Sequence, residues 1–273
     1  MIIDVHCHNF PDAIAARAMA GVCRMTEGFL WPSGHGTLAN HLDSLEYAGV
    51  DKAVMCPIAT RPEHWSVILR RAEAIRSGEL GERARRMIVP FASVHPDDIE
   101  VASHLRAIAD AGILGVKFHP YYQDFSLSDP AVWPMFRVIA DMGLVVECHA
   151  GEDVSWRDVR GKCGPEDIAT LLKNVRGLRF IAAHLGGCGG YPSHATDALL
   201  EYGCYVDTSV LHHTWFRDEE MRVLRSWPKE RILFGTDFPW VHYPEAISWV
   251  KSVREPSDWS ALFGDNAARL LGL

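Results

Sequence analysis

The sequence has no basic surplus. Its 273 residues carry 27 Lys and Arg against 35 Asp and Glu, a formal net charge of −8. That balance argues against a field that would hold nucleic-acid phosphates or an anionic membrane surface. No apolar run approaches the ~20 residues of a membrane-spanning helix. Asp4 and His6 interrupt the opening aliphatic residues at once, so no signal-type apolar region is expected. The seven cysteines are odd in number and lack C-x₂₋₄-C spacing. This argues against a disulfide framework, leaves a Cys-based zinc site without its usual spacing and suits a reducing compartment, so the chain is expected to be soluble and cytoplasmic. The "GGCGG" at 186–190 lacks the Lys-Ser/Thr of a phosphate-binding loop. It is read as a tight turn that lets backbone come close to a site. Repeats, linkers and low-complexity tracts are also missing.

What is present is an alternation. Eight short apolar runs, "IIDVH", "KAVMCP", "MIVPFASV", "LGVKFHP", "LVVECHAG", "LRFIAAHLGG", "CYVDTS" and "RILFGTDFP", are separated by longer stretches. Several of these have helical period, such as "DDIEVASHLRAIADAG" and "DPAVWPMFRVIADMG", each closed by glycine. Strands alternating with helices imply a parallel sheet, and near-continuously apolar strands imply burial on both faces. Eight such units in 1–273 predict an α/β protein with one closed (β/α)₈ barrel domain. Residues 11–36 read as a long first βα loop with room for a helix of its own.

In such a barrel the site forms where strands run into the following loops. Strand 1 ends in His6 and His8, strand 3 in His95, strand 4 in Lys117 and His119. Strands 5 to 8 end in His149, His184, Asp207 and Asp237. Residues two apart on a strand share a face, so His6 points with His8 and Lys117 with His119, while Cys7 and Cys148 face the helix layer. A single histidine at a strand end is usually an ordinary satisfied polar group. A whole ring of them, led by His-x-His, is the donor set of a borderline divalent cation. Asp207 reads equally well as a carboxylate orienting a ligating imidazole or as a turn residue. His95 reads as structural, and Cys163 and Cys188 as inert thiols in loops.

The ordered set "DVHCH", "GVKFHP", "VECHAG", "AAHLGG", "FGTDFP" and "LFGDNAARLLGL" resembles the amidohydrolase superfamily. Within it, the set is most similar to the branch of amidohydrolase-2 and aminocarboxymuconate-semialdehyde decarboxylase-like proteins. The resemblance implies a TIM barrel of the metal-dependent hydrolase type. It implies metal ligands His6, His8, His149 and Asp237, an acid/base or substrate-polarising role for His184, and a proton-accepting role for Asp237. One zinc ion is the expected cofactor. A second metal would require Lys117 to be carbamylated as a bridge; unmodified, Lys117 would instead hold a substrate carboxylate. His119, Tyr121, Trp156, Arg157 and Trp240, with Trp215, are candidate substrate contacts, although loop aromatics more often pack loops onto the barrel. The expected activity is hydrolysis of a small organic acid, amide, ester or lactone by metal-activated water. Non-oxidative decarboxylation, a TatD-type metallo-nuclease and a binding barrel without turnover are the alternatives. The expected partner is a small molecule, with no nucleic acid and no membrane, and the pocket could be completed by a second subunit in a homo-oligomer.

Overall fold

The computed structural model describes residues 1–156, 159–187, 191–209 and 217–273. All eight runs are strands: β1 Ile3–Cys7, β2 Lys52–Met55, β3 Ile88–Pro90, β4 Gly115–Phe118, β5 Val145–Cys148, β6 Arg179–Ala182, β7 Tyr205–Asp207 and β8 Ile232–Leu233. Every pair is parallel, in the orders β1-β2-β3 and β4-β5-β6-β7-β8. Two seams join these sheets. Ala92 N donates to Gly115 O and Lys117 N to Ala92 O, joining β3 to β4. Val5 N donates to Phe234 O and His8 N to Phe238 O, closing β8 onto β1. The ring is therefore a (β/α)₈ barrel.

Side-chain parity sorts the core into two shells. Ile3, Val5, Val54, Val89, Phe91, Val145, Ile181 and Leu233 fill the barrel interior together with Ala267, Leu270 and Leu271 of the last helix, Asn266–Leu271. The alternate strand residues, such as Val116, Phe118, Val146, Cys148 and Val206, pack outward against the helices. Each fully buried aliphatic side chain contributes ~1.5–3 kcal/mol.

Helices α1 Asp12–Met25 and α3 His64–Ser77 line the mouth, and α2 Leu38–Ala48 lies between them in sequence. The first lies within the 11–36 segment. Thr37 caps α2 by accepting from Asn40 N, satisfying one of the free N–H groups of its first turn. None of the helices among the described residues is long and apolar enough to cross a membrane.

Candidate metal centre

β1 could not present His6 by simple alternation, because Ile3 and Val5 already point into the barrel. A one-residue irregularity intervenes: Asp4 pairs with Ala53, but Cys7 pairs with Met55. Three steps on β1 against two on β2 make a bulge, which resets the parity and re-aims the following side chains. Cys7 then joins the outer layer, while His6 and His8 reach the mouth. The chain beyond β8 makes its own turn: Asp237 adopts φ 60° and its N–H donates to His6 O at 2.7 Å. Aspartate tolerates this left-handed backbone better than most residues. The result is a carboxylate aimed at strand 1, with Oδ1 2.9 Å from His8 Nε2 and 3.6 Å from His6 Nε2.

The ligand atoms of His6, His8 and Asp237 lie within 4.8 Å of one another. His149 groups instead with His119 and Asp153 at the same mouth, its ring stacked on His119 at 4.1 Å between centroids. Burial would raise the Asp237 pKa, but the imidazoles of His6 and His8 hold it below the usual carboxylate range.

Hydrogen bonds fix the tautomers. His6 Nδ1 donates to Asp207 Oδ2 at 3.0 Å, which leaves Nε2 with its lone pair toward Lys117 Nζ at 2.9 Å. Asp207 thus takes the imidazole-orienting place that the sequence left open. Its Oδ1 also accepts from His184 N (3.0 Å) and Ser209 N (2.9 Å). His184 Nδ1 donates to Ser209 Oγ at 2.8 Å, so its Nε2 accepts from His149 Nδ1 at 3.0 Å. That assignment leaves His149 Nε2 as a buried lone pair without a hydrogen-bond partner. Neutral imidazoles with a lone pair on Nε2 and the other nitrogen tied back are the form that ligates a metal. A cation would also satisfy the buried nitrogen that is otherwise stranded. The residues present therefore fit a divalent ion.

Behind His6 sits Glu147, which the sequence reading passed over inside "VVECH". It is fully buried; Oε1 lies 3.6 Å from Lys117 Nζ and 3.5 Å from His6 Nδ1. Burial and the neighbouring Asp207 push its pKa up, against the pull of Lys117. Burial disfavours the Lys117 ammonium, but Glu147, Asp237 and Asp207 outweigh it and raise its pKa. The available signal was parity: Glu147 stands two residues before His149 and shares its face.

Glycine permits the tight packing around these groups. A Cβ on Gly235 would lie 3.1 Å from Asp207 Cβ and 3.3 Å from His6 Cβ. A Cβ on Gly187 would meet Gly151 backbone at 2.7 Å. Cys188 and the rest of the glycine tract lie outside the described residues.

The site opens into a cavity of about 790 Å³. Its floor includes His6, His8, Lys117, His119, His149, His184 and Asp237, and Trp240 lines it as well. Tyr121 and Trp156 do not. Tyr121 donates its hydroxyl to Glu152 Oε2 at 3.2 Å, and Trp156 packs edge-on behind Tyr122, which takes the place on the wall. Arg157 and Trp215 lie outside the described residues. His95 is buried and does not line the cavity, and Cys163 is a buried free thiol.

A model of the amidohydrolase-2 family, described as "Amidohydrolase", matches residues 3–273. The chain belongs to the amidohydrolase-2 family. Solved structures share the fold at low sequence identity. An uncharacterised TIM-barrel protein from Bordetella bronchiseptica is 18% identical, with TM-score 0.75 and coverage of 99% of this chain and 98% of that one. A probable 2-pyrone-4,6-dicarboxylic acid hydrolase from Acinetobacter baumannii, with citric acid bound, is 15% identical (TM-score 0.71; 100% and 99% covered). A 5-carboxyvanillate decarboxylase from Novosphingobium aromaticivorans, with bound manganese, is 14% identical (TM-score 0.68; 100% and 97% covered). No curated protein matches the sequence significantly. The structural relatives of this amidohydrolase-2 protein thus include both hydrolases and decarboxylases.

Proposed function

We propose that this amidohydrolase-2 protein is a metal-dependent hydrolase acting on a small organic acid, amide, ester or lactone. The observation that carries the reading is the Asp237 carboxylate held between His6 and His8 at the floor of the cavity. His6, His8 and Asp237, joined by His149 through its free Nε2, would hold one divalent cation. Three nitrogens and an oxygen suit zinc, while a manganese-bound relative keeps manganese as the second choice to assay. When bound, such an ion acidifies water and polarises a carbonyl oxygen.

The rest falls to the chain's own groups. Asp237 takes the proton of the attacking water at its carboxylate, then delivers it to the departing oxygen or nitrogen. His184, anchored through Nδ1 to Ser209, keeps its lone pair at Nε2 and would polarise the carbonyl only after taking up a proton there, in place of its contact with His149 Nδ1. Lys117, buried beside Glu147, serves as an unmodified cation rather than a carbamylated bridge, which is why the reading calls for one metal. The apolar wall limits the water that reaches the floor. We place the protein in the cytoplasm, with a small-molecule partner and neither nucleic acid nor membrane.

Zinc- or manganese-loaded protein, assayed on aryl esters, lactones, aromatic acids and oligonucleotides, provides the test. Hydrolysis of an ester or lactone that stops on chelation is the expected result. Carbon dioxide release from an aromatic acid, with no ester or lactone turned over, would replace hydrolysis by decarboxylation.

A further inference from the structure

The cavity wall holds two arginines that the reaction does not use, Arg70, which is exposed, and Arg71. Arg71 of α3 is half-buried. Its Nη2 donates to Asn9 Oδ1 at 2.6 Å, and its Nε is buried with no hydrogen-bond partner. No carboxylate among the described residues lies within ion-pair distance of it; Asp12 acts on it only through its field. Asn9 is neutral and cannot balance the charge. A guanidinium drawn out of water without a counter-ion is unfavourable unless an anion arrives to meet it.

Arg71 is also fixed in place. Asn9, which follows His8 in the chain, donates from Nδ2 to His41 Nδ1 at 3.1 Å. His41 Nε2 in turn donates to the Tyr243 hydroxyl at 2.8 Å. The arginine is therefore held by a buried hydrogen-bonded series rather than swinging freely. Much of the wall is apolar, with Ile14 and Val22 of α1, Phe29 and Leu30 beyond it, and Val67 and Ile68 of α3, although Arg70 and Glu79 also line it. An anion on Arg71 would have its hydrocarbon portion against this wall and its other end over the floor.

We infer that Arg71 is an anion-binding residue for substrate, and that the substrate carries, on an apolar body, a carboxylate separate from the bond that is broken. This rests on the hydrolase reading for the floor and adds a second anchoring point on the wall. The carboxylate on Arg71 is retained in the product, whereas the group at His6, His8 and Asp237 is the one that reacts. Planar guanidinium and planar carboxylate pair through two parallel hydrogen bonds, which suits a carboxylic acid better than a neutral isostere.

The experiment compares 4-phenylbutanoate with its neutral amide by calorimetry on wild type, Arg71→Gln, Arg71→Lys and Arg70→Gln, with thermal melts to verify folding. Wild type is expected to favour the acid by roughly ten- to a hundredfold, the worth of a charge-assisted hydrogen bond. Arg71→Gln should erase the preference, Arg71→Lys should retain part of it, and Arg70→Gln should leave it intact. Equal binding of acid and amide, failure of wild type to bind the acid, or a preference that follows Arg70 would each overturn the assignment. Kinetics separate this from the hydrolase reading. Acid preference through Arg71 with no ester or lactone turned over leaves the anion site standing and removes the hydrolase. Turnover of carboxylate-bearing and neutral esters at equal kcat/KM does the reverse.

Discussion

Replacing Asp207 by Asn tests the metal centre through a residue that would not touch the metal. Both Asp207 oxygens are used: Oδ2 accepts from His6 Nδ1 at 3.0 Å, and Oδ1 from the N–H groups of His184 and Ser209 at 3.0 and 2.9 Å. The carboxylate is fully buried, so water cannot substitute for a lost partner. Asparagine has one acceptor. If its oxygen stays with the two backbone donors, its NH₂ faces His6 Nδ1, donor against donor. His6 then relieves the clash by moving its proton to Nε2, the nitrogen that must offer a lone pair to a cation. Loss of such an orienting partner weakens metal binding by roughly 10- to 100-fold, or about 1.4–2.7 kcal/mol. The assay is competition against a chromogenic chelator, with melts of the metal-free protein to show that the barrel still unfolds cooperatively. Metal affinity equal to that of wild type in a folded Asp207→Asn protein would refute the claim that Asp207 sets the His6 tautomer.

The remaining expectations concern the site residues and one buried histidine. Changing His6 and His8 together to Ala should abolish bound metal and leave a folded barrel, as elemental analysis and circular dichroism would record. His184→Asn should retain metal yet lose roughly 10²- to 10⁴-fold in kcat, the usual worth of an acid/base group; collapse of metal content would make His184 a ligand instead. Asp237→Asn should lose more turnover than metal occupancy, because the amide oxygen can still coordinate but takes no proton; undiminished activity would remove the base role. His41 is buried, which lowers its pKa from 6.5 to about 3. The unfolded chain therefore takes up a proton below pH 6.5 that the native protein refuses. Stability from this site is complete above pH 6.5 and is lost as the pH falls toward 3, by roughly 2 kcal/mol at pH 5. Urea midpoints should fall less steeply with acid in His41→Gln than in wild type.

The barrel was legible because its strands are buried on both faces, which writes each of them as an unbroken apolar run. The mouth was legible for the same reason: His6, His149, His184 and Asp237 stand where those runs stop. Other features were hidden for physical reasons. The bulge in β1 leaves no mark in the sequence, since an extra residue in one strand is defined only against its partner. Glu147 looked like an interruption of "VVECH", and only the barrel's closure shows that it meets Lys117 and His6. Tyr121 and Tyr122 exchange places because a loop has no period from which to read a side chain's direction. Arg71 sits beside Arg70 in a helix, and helical pattern alone does not say which guanidinium loses its water. Asp207 was ambiguous until the closed barrel brought His6 Nδ1 against it.

The seam between β8 and β1 explains why so much of the site is polar. β8 contributes only Ile232–Leu233 as regular strand, so the ladder that closes the barrel is short where His6, His8 and Asp237 must be aligned. Side chains continue where the ladder stops. Asp4 accepts from Thr236 Oγ1 at 2.6 Å, from Thr236 N at 3.1 Å and from His6 N at 2.9 Å, tying the two segments together one residue before Asp237. Burial raises its pKa to about 7 even against these donors, a measure of how far the group is from water. Tyr243 joins Asp4 to His41, and His41 leads through Asn9 to Arg71. One connected set of polar groups thus runs from the closing seam to the cavity wall. Buried networks of this kind specify geometry more than they add stability, because each member is tolerable only while its partners stay in place. The apolar shells hold the barrel, and the polar seam fixes the positions of His6, His8, Asp237 and Arg71 relative to one another.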